Sequence, residues 1–388
     1  MKKAAITFNQ TRQISLTALL FALYYLAAPM EDLLTGAMGT VQKYIAIVIV
    51  LVGVAKFDFH ISLPKNRFTH CMIWLMAVAV ISCLWSVDLG TTWERLFAYL
   101  TVPGLCLFAT ALDFNEREYR LILNAALLGG IIVFFFMIEK GTFYGNTFRT
   151  TLSESNDPNN LAALLLLPFG ISFDRLIKRN GLWRLMYIVL VGAFTYALLF
   201  TGSRGGMLAM LMFVGAYLLQ GNWREKWSKL LLLGIVVATA CFVLVPLLPD
   251  TLRLRMFSVE SYTGTGAGRT EIWKTVITKV LPDSWLLGNG AGCVGVRLIP
   301  YYGFRKGVHN TYLNMLGEYG ILGLPVFLIM LNGMLKKQVK TKRTVEAALL
   351  TGIFVAIFFL DAYAKKFFWN IMMLACIAGR VDAKNSQF

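Results

Sequence analysis

Three kinds of residue set the chemistry this chain could perform: a histidine beside cations, arginines beside glycines, and an acid among asparagines. His309 closes the run YYGFRKGVHN, where Arg305 and Lys306 precede it and Arg297 lies shortly before. Imidazole changes charge near neutral pH, and in its neutral form it can take a proton from a hydroxyl. Arg204, in FTGSRGGML, is followed by Gly205 and Gly206 at the start of an apolar run, where unpaired backbone N–H groups favour an anion. Arg269, in GRTEIW, precedes a short amphipathic segment with Glu271 in its first turn. The planar guanidinium fork matches phosphate oxygens, so this set of cations suits a diphosphate. Each residue also has a plainer reading. His309 could cap a helix, Arg204 could snorkel to the membrane surface, and Arg269 could simply pair with Glu271.

Other residues carry weaker signals. SNDPNNLA, at 155–162, brings Asp157, Asn159 and Asn160 to the start of an apolar run with Pro158 in the first turn, which is helix-cap chemistry. Glu318 lies among Gly317, Gly320 and Gly323; an acid inside a membrane span is a functional candidate, whereas such glycines are close-packing positions. Six cysteines are scattered without CxxC spacing, and His60, His70 and His309 are too few and too dispersed for a metal centre. The expectation is chemistry without metal or cofactor. Gly290, Gly292 and Gly295 spell GxGxxG, but no strand precedes them and no βαβ unit fits there, so a dinucleotide site is rejected.

The elements that must position these groups follow from composition. With 57% apolar and 15% charged residues, the chain has too little polar surface to coat a soluble body of this size, which excludes a soluble enzyme. Its formal charge of +16 then reports orientation before partners, and nucleic acid is not expected. Apolar stretches near 14–30, 42–55, 70–87, 96–112, 121–138, 160–173, 185–202, 205–220, 230–248, 311–335, 344–361 and 367–380 predict an all-α polytopic membrane protein of about twelve spans. The start MKKAAITFNQTRQ resembles a signal peptide, but the apolar run continues without a cleavage site and is read as the first span.

Arg175, Lys178, Arg179 and Arg184, with Lys336, Lys337, Lys340, Lys342 and Arg343, place both termini in the cytoplasm and the long loop 249–310 outside. That loop should hold short amphipathic helices: Trp273, Val276, Ile277 and Val280 form one apolar face, laid on the membrane or packed on the spans. The chain divides into N-terminal spans over 1–154 and a catalytic membrane region over 155–388.

His309-Asn310, followed after nine residues by Gly320 and then Gly323, resembles the His-Asn/Ser/Gln…Gly-x-x-Gly signature of the O-antigen ligase and polymerase superfamily of bacterial membrane glycosyltransferases. SNDPNNLA, Ser-Arg-Gly, Gly-Arg…Trp and a Gly-rich turn stand in the family's order, so the likeness covers about 155–325; the pattern departs at Asp157, where Asn-Pro-Asn is expected. The resemblance implies a GT-C-type, metal-independent, inverting transferase facing the periplasm of the inner membrane. Arg204 and Arg269 would grip the diphosphate of an undecaprenyl diphosphate-linked O-antigen donor, and His309 would deprotonate the acceptor. Arg297, Arg305, Lys306, Asn310, Glu318, Asp157 and Asn159 are the further substrate-binding candidates.

A ligase would pass the glycan to lipid A-core oligosaccharide, a polymerase to another lipid-linked repeat. The loop 249–310 carries eight Lys+Arg against Asp250, Glu260, Glu271 and Asp283, which favours a phosphorylated acceptor and hence the ligase. The alternative from another class, a twelve-span transporter or lipid flippase, would need ionisable residues at the bilayer midplane; Glu318 keeps that reading open.

Overall fold

The computed structural model describes residues 14–385 apart from 31–32, 34, 37–38, 57–62, 144–148, 153–156, most of 221–244, and 258–267. Among the described residues, thirteen helices of seven residues or more organise it. They are α1 Leu16–Ala27, α2 Val41–Lys56, α3 Arg67–Ile81, α4 Leu89–Ala109, α5 Glu116–Lys140, α6 Pro158–Lys178, α7 Leu182–Phe200, α8 Arg204–Leu219, α9 Asp250–Phe257, α10 Arg269–Thr275, α11 Thr311–Lys340, α12 Thr344–Ala356 and α13 Lys366–Asn385. Short turns of 3-10 and α-helix fill parts of the loops. Two antiparallel ladders of two-residue strands, 35–36 with 39–40 and 142–143 with 150–151, are the only strands among the described residues, so the fold is all-α.

The helix starts are written in the sequence. Ser15, Asn66, Asp88, Asn115, Asp157, Ser203 and Asn310 each accept an N–H of the first turn they precede. At α5 the Glu118 carboxylate also returns to the Asn115 N–H, completing a capping box. α8 packs along α12, α1 along α5, α6 on α7 and α3 on α11. Phe169, Phe173, Phe213 and Tyr217 interlock edge to face between α6 and α8, and Phe327, Tyr363, Phe368 and Trp369 form a second aromatic cluster, with edge-to-face and tilted pairs, at the α12–α13 turn.

About twelve spans is not what folds. Among the described residues five helices are long and apolar enough to cross a membrane: Arg67–Leu84, Glu116–Glu139, Pro158–Lys178, Leu182–Phe200 and Thr311–Lys340. This is a polytopic membrane protein with fewer spans than its apolar runs suggest. Four of the predicted stretches form apolar helices of 10–17 residues; at 1.5 Å per residue these reach roughly 15–26 Å, short of the roughly 30 Å hydrocarbon layer. The stretch at 96–112 belongs to a helix whose early turns carry Glu94 and Arg95 and whose interior holds Pro103, and that at 367–380 belongs to α13, which ends in charged residues. The stretch at 230–248 lies largely outside the described residues, as do Cys241, His60 and the chain start.

α10 settles where the amphipathic segment lies. Ile272, Val276 and Val280 are buried with Val294, Leu298 and Val308 in a small core of their own, so the segment packs on the helices beneath it. Ile277, expected on that face, is 54% exposed. Residues 276–280 form a π-turn; its i→i+5 bonding widens the helix, so residues four apart stack and the neighbour at i+1 swings outward.

Candidate active site

The site gathers at the end of the bundle where α6, α8 and α11 begin and where the turn between α12 and α13 passes. Asp157 caps α6, its Oδ1 accepting the Asn159 backbone N–H at 2.9 Å and the Asn159 side-chain amide at 2.7 Å. The buried Arg149 donates from Nε to the Thr201 carbonyl at 3.0 Å and from its terminal nitrogen to Asn159 Oδ1 at 3.0 Å. It thereby ties the turn before α8 to the start of α6. Ser203 Oγ accepts the Gly206 N–H at 3.1 Å, so Arg204 is the first residue of α8.

α9 lies on this turn: Leu252 is buried against Leu199 and Leu248, and Arg255 follows one turn later on the same side. Arg204, Arg255 and Arg269 share one electrostatic neighbourhood with Asp157 and Asp361. Burial pushes the Arg269 guanidinium below its ordinary range; Asp157 and Asp361 oppose that fall, and Arg204 and Arg255 add to it. Arg255 is lowered by burial and by Arg204, against the pull of Asp157. Its Nε is buried without a hydrogen-bond partner among the described residues. An unpaired buried donor on a cation is stabilised by an anion.

His309 lines an adjoining cavity of about 480 Å3. Its φ of 53° is left-handed, a conformation that histidine reaches more readily than most residues. The backbone there is held on three sides. Trp273 of α10 donates from Nε1 to the Val308 carbonyl at 2.9 Å, the Asn310 N–H donates to Asp361 Oδ1 at 3.1 Å, and the Asn310 side chain caps α11 by accepting the Leu313 N–H at 3.0 Å. Asn314 also donates to Asp361. A Cβ on Gly307 would sit 3.0 Å from Asp361 Oδ2 and 3.5 Å from His309 Nε2, so carboxylate and imidazole flank that glycine.

The cavity wall carries four cations and three acids. Arg95, Arg305, Lys306 and Lys365 face acids Asp157, Asp361 and Glu318. Arg305 is steadied by the Gly292 carbonyl at 3.1 Å, and Lys306 lies over the rings of Tyr302 and Phe304. Glu318 is buried in the floor and accepts the Tyr99 hydroxyl at 3.1 Å. It therefore lines the same cavity as His309.

Two residues downstream α11 breaks at Gly320, whose φ of 57° and ψ of −143° are closed to other residues. The loop 284–290 docks into the break: the Ile321 N–H donates to the Trp285 and Leu286 carbonyls at 3.1 and 3.2 Å, and the Gly290 N–H to the Glu318 carbonyl at 3.0 Å. Gly290 and Gly292 thus belong to a chain crossing, not a nucleotide cradle.

Of the sequence candidates, His309, Arg305, Lys306, Glu318 and Asp157 line one cavity, Asn310 and Asn159 position its neighbours, and Arg204 and Arg269 stand beside it in the shared field. Arg297 is elsewhere, paired with Asp283 at 3.2 Å. Sequence reasoning gave no role to Arg95, Arg149, Arg255 or Asp361. A signal existed for Asp361, the one acid between Glu346 and Asp382, and for Arg95, a cation inside an apolar run.

No curated protein matches the chain. Residues 187–328, which contain Arg204, Arg269, His309 and Glu318, match the family model described as O-antigen ligase.

Proposed function

We propose that this protein transfers a glycan from an undecaprenyl diphosphate-linked O-antigen to lipid A-core oligosaccharide at the periplasmic face of the inner membrane. The observation that carries the reading is His309, fixed on a strained backbone at the wall of a cation-rich cavity and flanked by Asp361. In this reaction His309 takes the proton from the acceptor hydroxyl while that oxygen attacks the anomeric carbon. The bond from that carbon to the diphosphate breaks on the opposite face, inverting the centre, and the electron pair leaves with the diphosphate. Arg204, Arg255 and Arg269 supply the charge that stabilises the leaving group, a task that suits preorganised guanidinium groups. Arg305, Lys306 and Arg95 fit the phosphates of the acceptor core. Asp361 holds the Asn310 and Asn314 donors and so positions the base.

The test is His309→Ala in cells, read as lipopolysaccharide on a gel. Loss of a general base costs roughly 10²–10⁴ in rate, so bare core with accumulated lipid-linked polymer is expected. A normal capped ladder refutes the assignment, and core carrying a single repeat would instead identify a polymerase.

A further inference from the structure

At the other end of the bundle the helices enclose a second and larger recess, of about 840 Å3, formed by the start of α5, the end of α6, the start of α7 and the turn between α11 and α12. α6 joins the two ends: Asp157 caps it at the His309 cavity, and Arg175 and Lys178 lie in its last turn at the recess. Its 21 residues put the two sites about 30 Å apart. We propose that this recess binds the phosphate head group of an acidic membrane lipid, in the leaflet that faces away from His309.

Charge is the first argument. Arg120, Arg175, Lys178, Arg179, Lys342 and Arg343 line the recess against three acids, and each acid is engaged. Glu346 accepts the Tyr119 hydroxyl. Asp174 accepts the Tyr217 hydroxyl at 2.8 Å and pairs with Lys178 at 2.8 Å. Glu116 pairs with Arg120 at 3.2 Å and Arg343 at 3.6 Å.

Preorganisation is the second. Arg175 is half-buried and, among the described residues, held by neutral groups, Asn124 Oδ1 and the Tyr187 hydroxyl, with its guanidinium 5.8 Å from the Tyr187 ring centroid. A guanidinium held by neutral groups rather than by a carboxylate keeps its charge available to a phosphate oxygen, and its fork suits two of them.

The rim selects a lipid over a soluble anion. Trp183 at the start of α7 lines the recess and is 64% exposed, and its chain neighbours Leu182 and Leu185 are exposed on the same turn. A tryptophan at the mouth of a basic pocket between membrane helices, on a turn with exposed leucines, is an interfacial arrangement, with acyl chains beside the apolar side chains and the phosphate within. The inference does not depend on the transferase reading, because no residue of the recess belongs to the His309 cavity.

The experiment uses the full chain in nanodiscs of phosphatidylcholine into which phosphatidylglycerol is titrated, with bound lipid counted by native mass spectrometry. Phosphatidylglycerol should be retained in preference to phosphatidylcholine. The double variant Arg175→Gln/Arg179→Gln should weaken that retention about thirtyfold, the change that two surface charges at about 1 kcal/mol each produce. Because Arg175 has structural contacts, Arg179→Gln/Lys342→Gln, which alters two exposed side chains, is measured beside it and should weaken retention about tenfold or more. Equal retention of the two lipids, or no loss in the second variant, overturns the proposal. Inorganic phosphate displacing phosphatidylglycerol at millimolar concentration would also overturn it, by making the site one for a soluble anion.

Discussion

Replacing Gly320 by alanine tests whether the break in α11 is what seats the loop behind the cavity. The alanine would have to adopt φ 57° and ψ −143°, a region that costs a residue with a side chain about 1–3 kcal/mol. Its Cβ would also lie 2.3 Å from the Leu286 carbonyl oxygen and 2.6 Å from that of Trp285. Neither is a flexible side-chain tip, so the loop must withdraw and the Ile321 N–H loses its acceptors, a further cost of about 1 kcal/mol. The sum is about 3 kcal/mol, more than a hundredfold in the ratio of folded to unfolded protein. Gly333 lies in the same helix with nothing within 4 Å of its would-be Cβ. There the same substitution should be neutral or stabilise by about 0.5–1 kcal/mol. Reversible unfolding by dodecyl sulfate in mixed micelles measures both variants. If Gly320→Ala came within about 1 kcal/mol of the parent, the account of the break and of the Gly-x-x-Gly spacing would be wrong.

Asp361→Asn keeps the shape but removes the charge that the Asn310 and Asn314 donors face; turnover of a soluble donor analogue should fall about tenfold or more with folding retained, and unchanged turnover would remove Asp361 from the site. Trp273→Phe leaves the Val308 carbonyl without its donor, so stability should drop by about 1 kcal/mol and turnover should drop with it; a loss of stability alone would detach α10 from positioning His309. Asp88 caps α4, and hydrogen bonds from the Thr91 hydroxyl and N–H hold its carboxyl below the usual range. Its folded value being the lower one, this contribution is complete above the unfolded value of about 3.9 and is lost as pH falls through the folded value. Amide exchange at 89–92 should therefore accelerate at higher pH in Thr91→Val than in the parent; coincident profiles would refute the cap.

What could be read from the sequence was local. The caps at Asp157 and Ser203 are decided within four residues, and so they stand where the composition of those segments puts them. Trp273, Val276 and Val280 were visible as a face, but Ile277 was misplaced because periodicity assumes 3.6 residues per turn and the π-turn does not obey it. The count of spans failed for a related reason: an apolar run shows that a segment avoids water, not that it forms one continuous helix as long as the bilayer is thick. Within the site, His309 and Arg305 announced themselves by chemical type. Arg95, Arg149 and Asp361 reach it from segments remote in the chain, and no spacing rule connects residue 95 to residue 305.

The left-handed backbone at His309 restricts the evolutionary reach of that position before any chemistry is considered. Most replacements meet a conformational penalty there, whereas asparagine, aspartate and glycine do not. Asparagine and aspartate are one base change from histidine in the genetic code, but neither offers an imidazole. Drift at residue 309 is therefore channelled toward proteins that keep the fold and lose the base. Inactive relatives with an intact cavity wall are the expected by-products of this geometry.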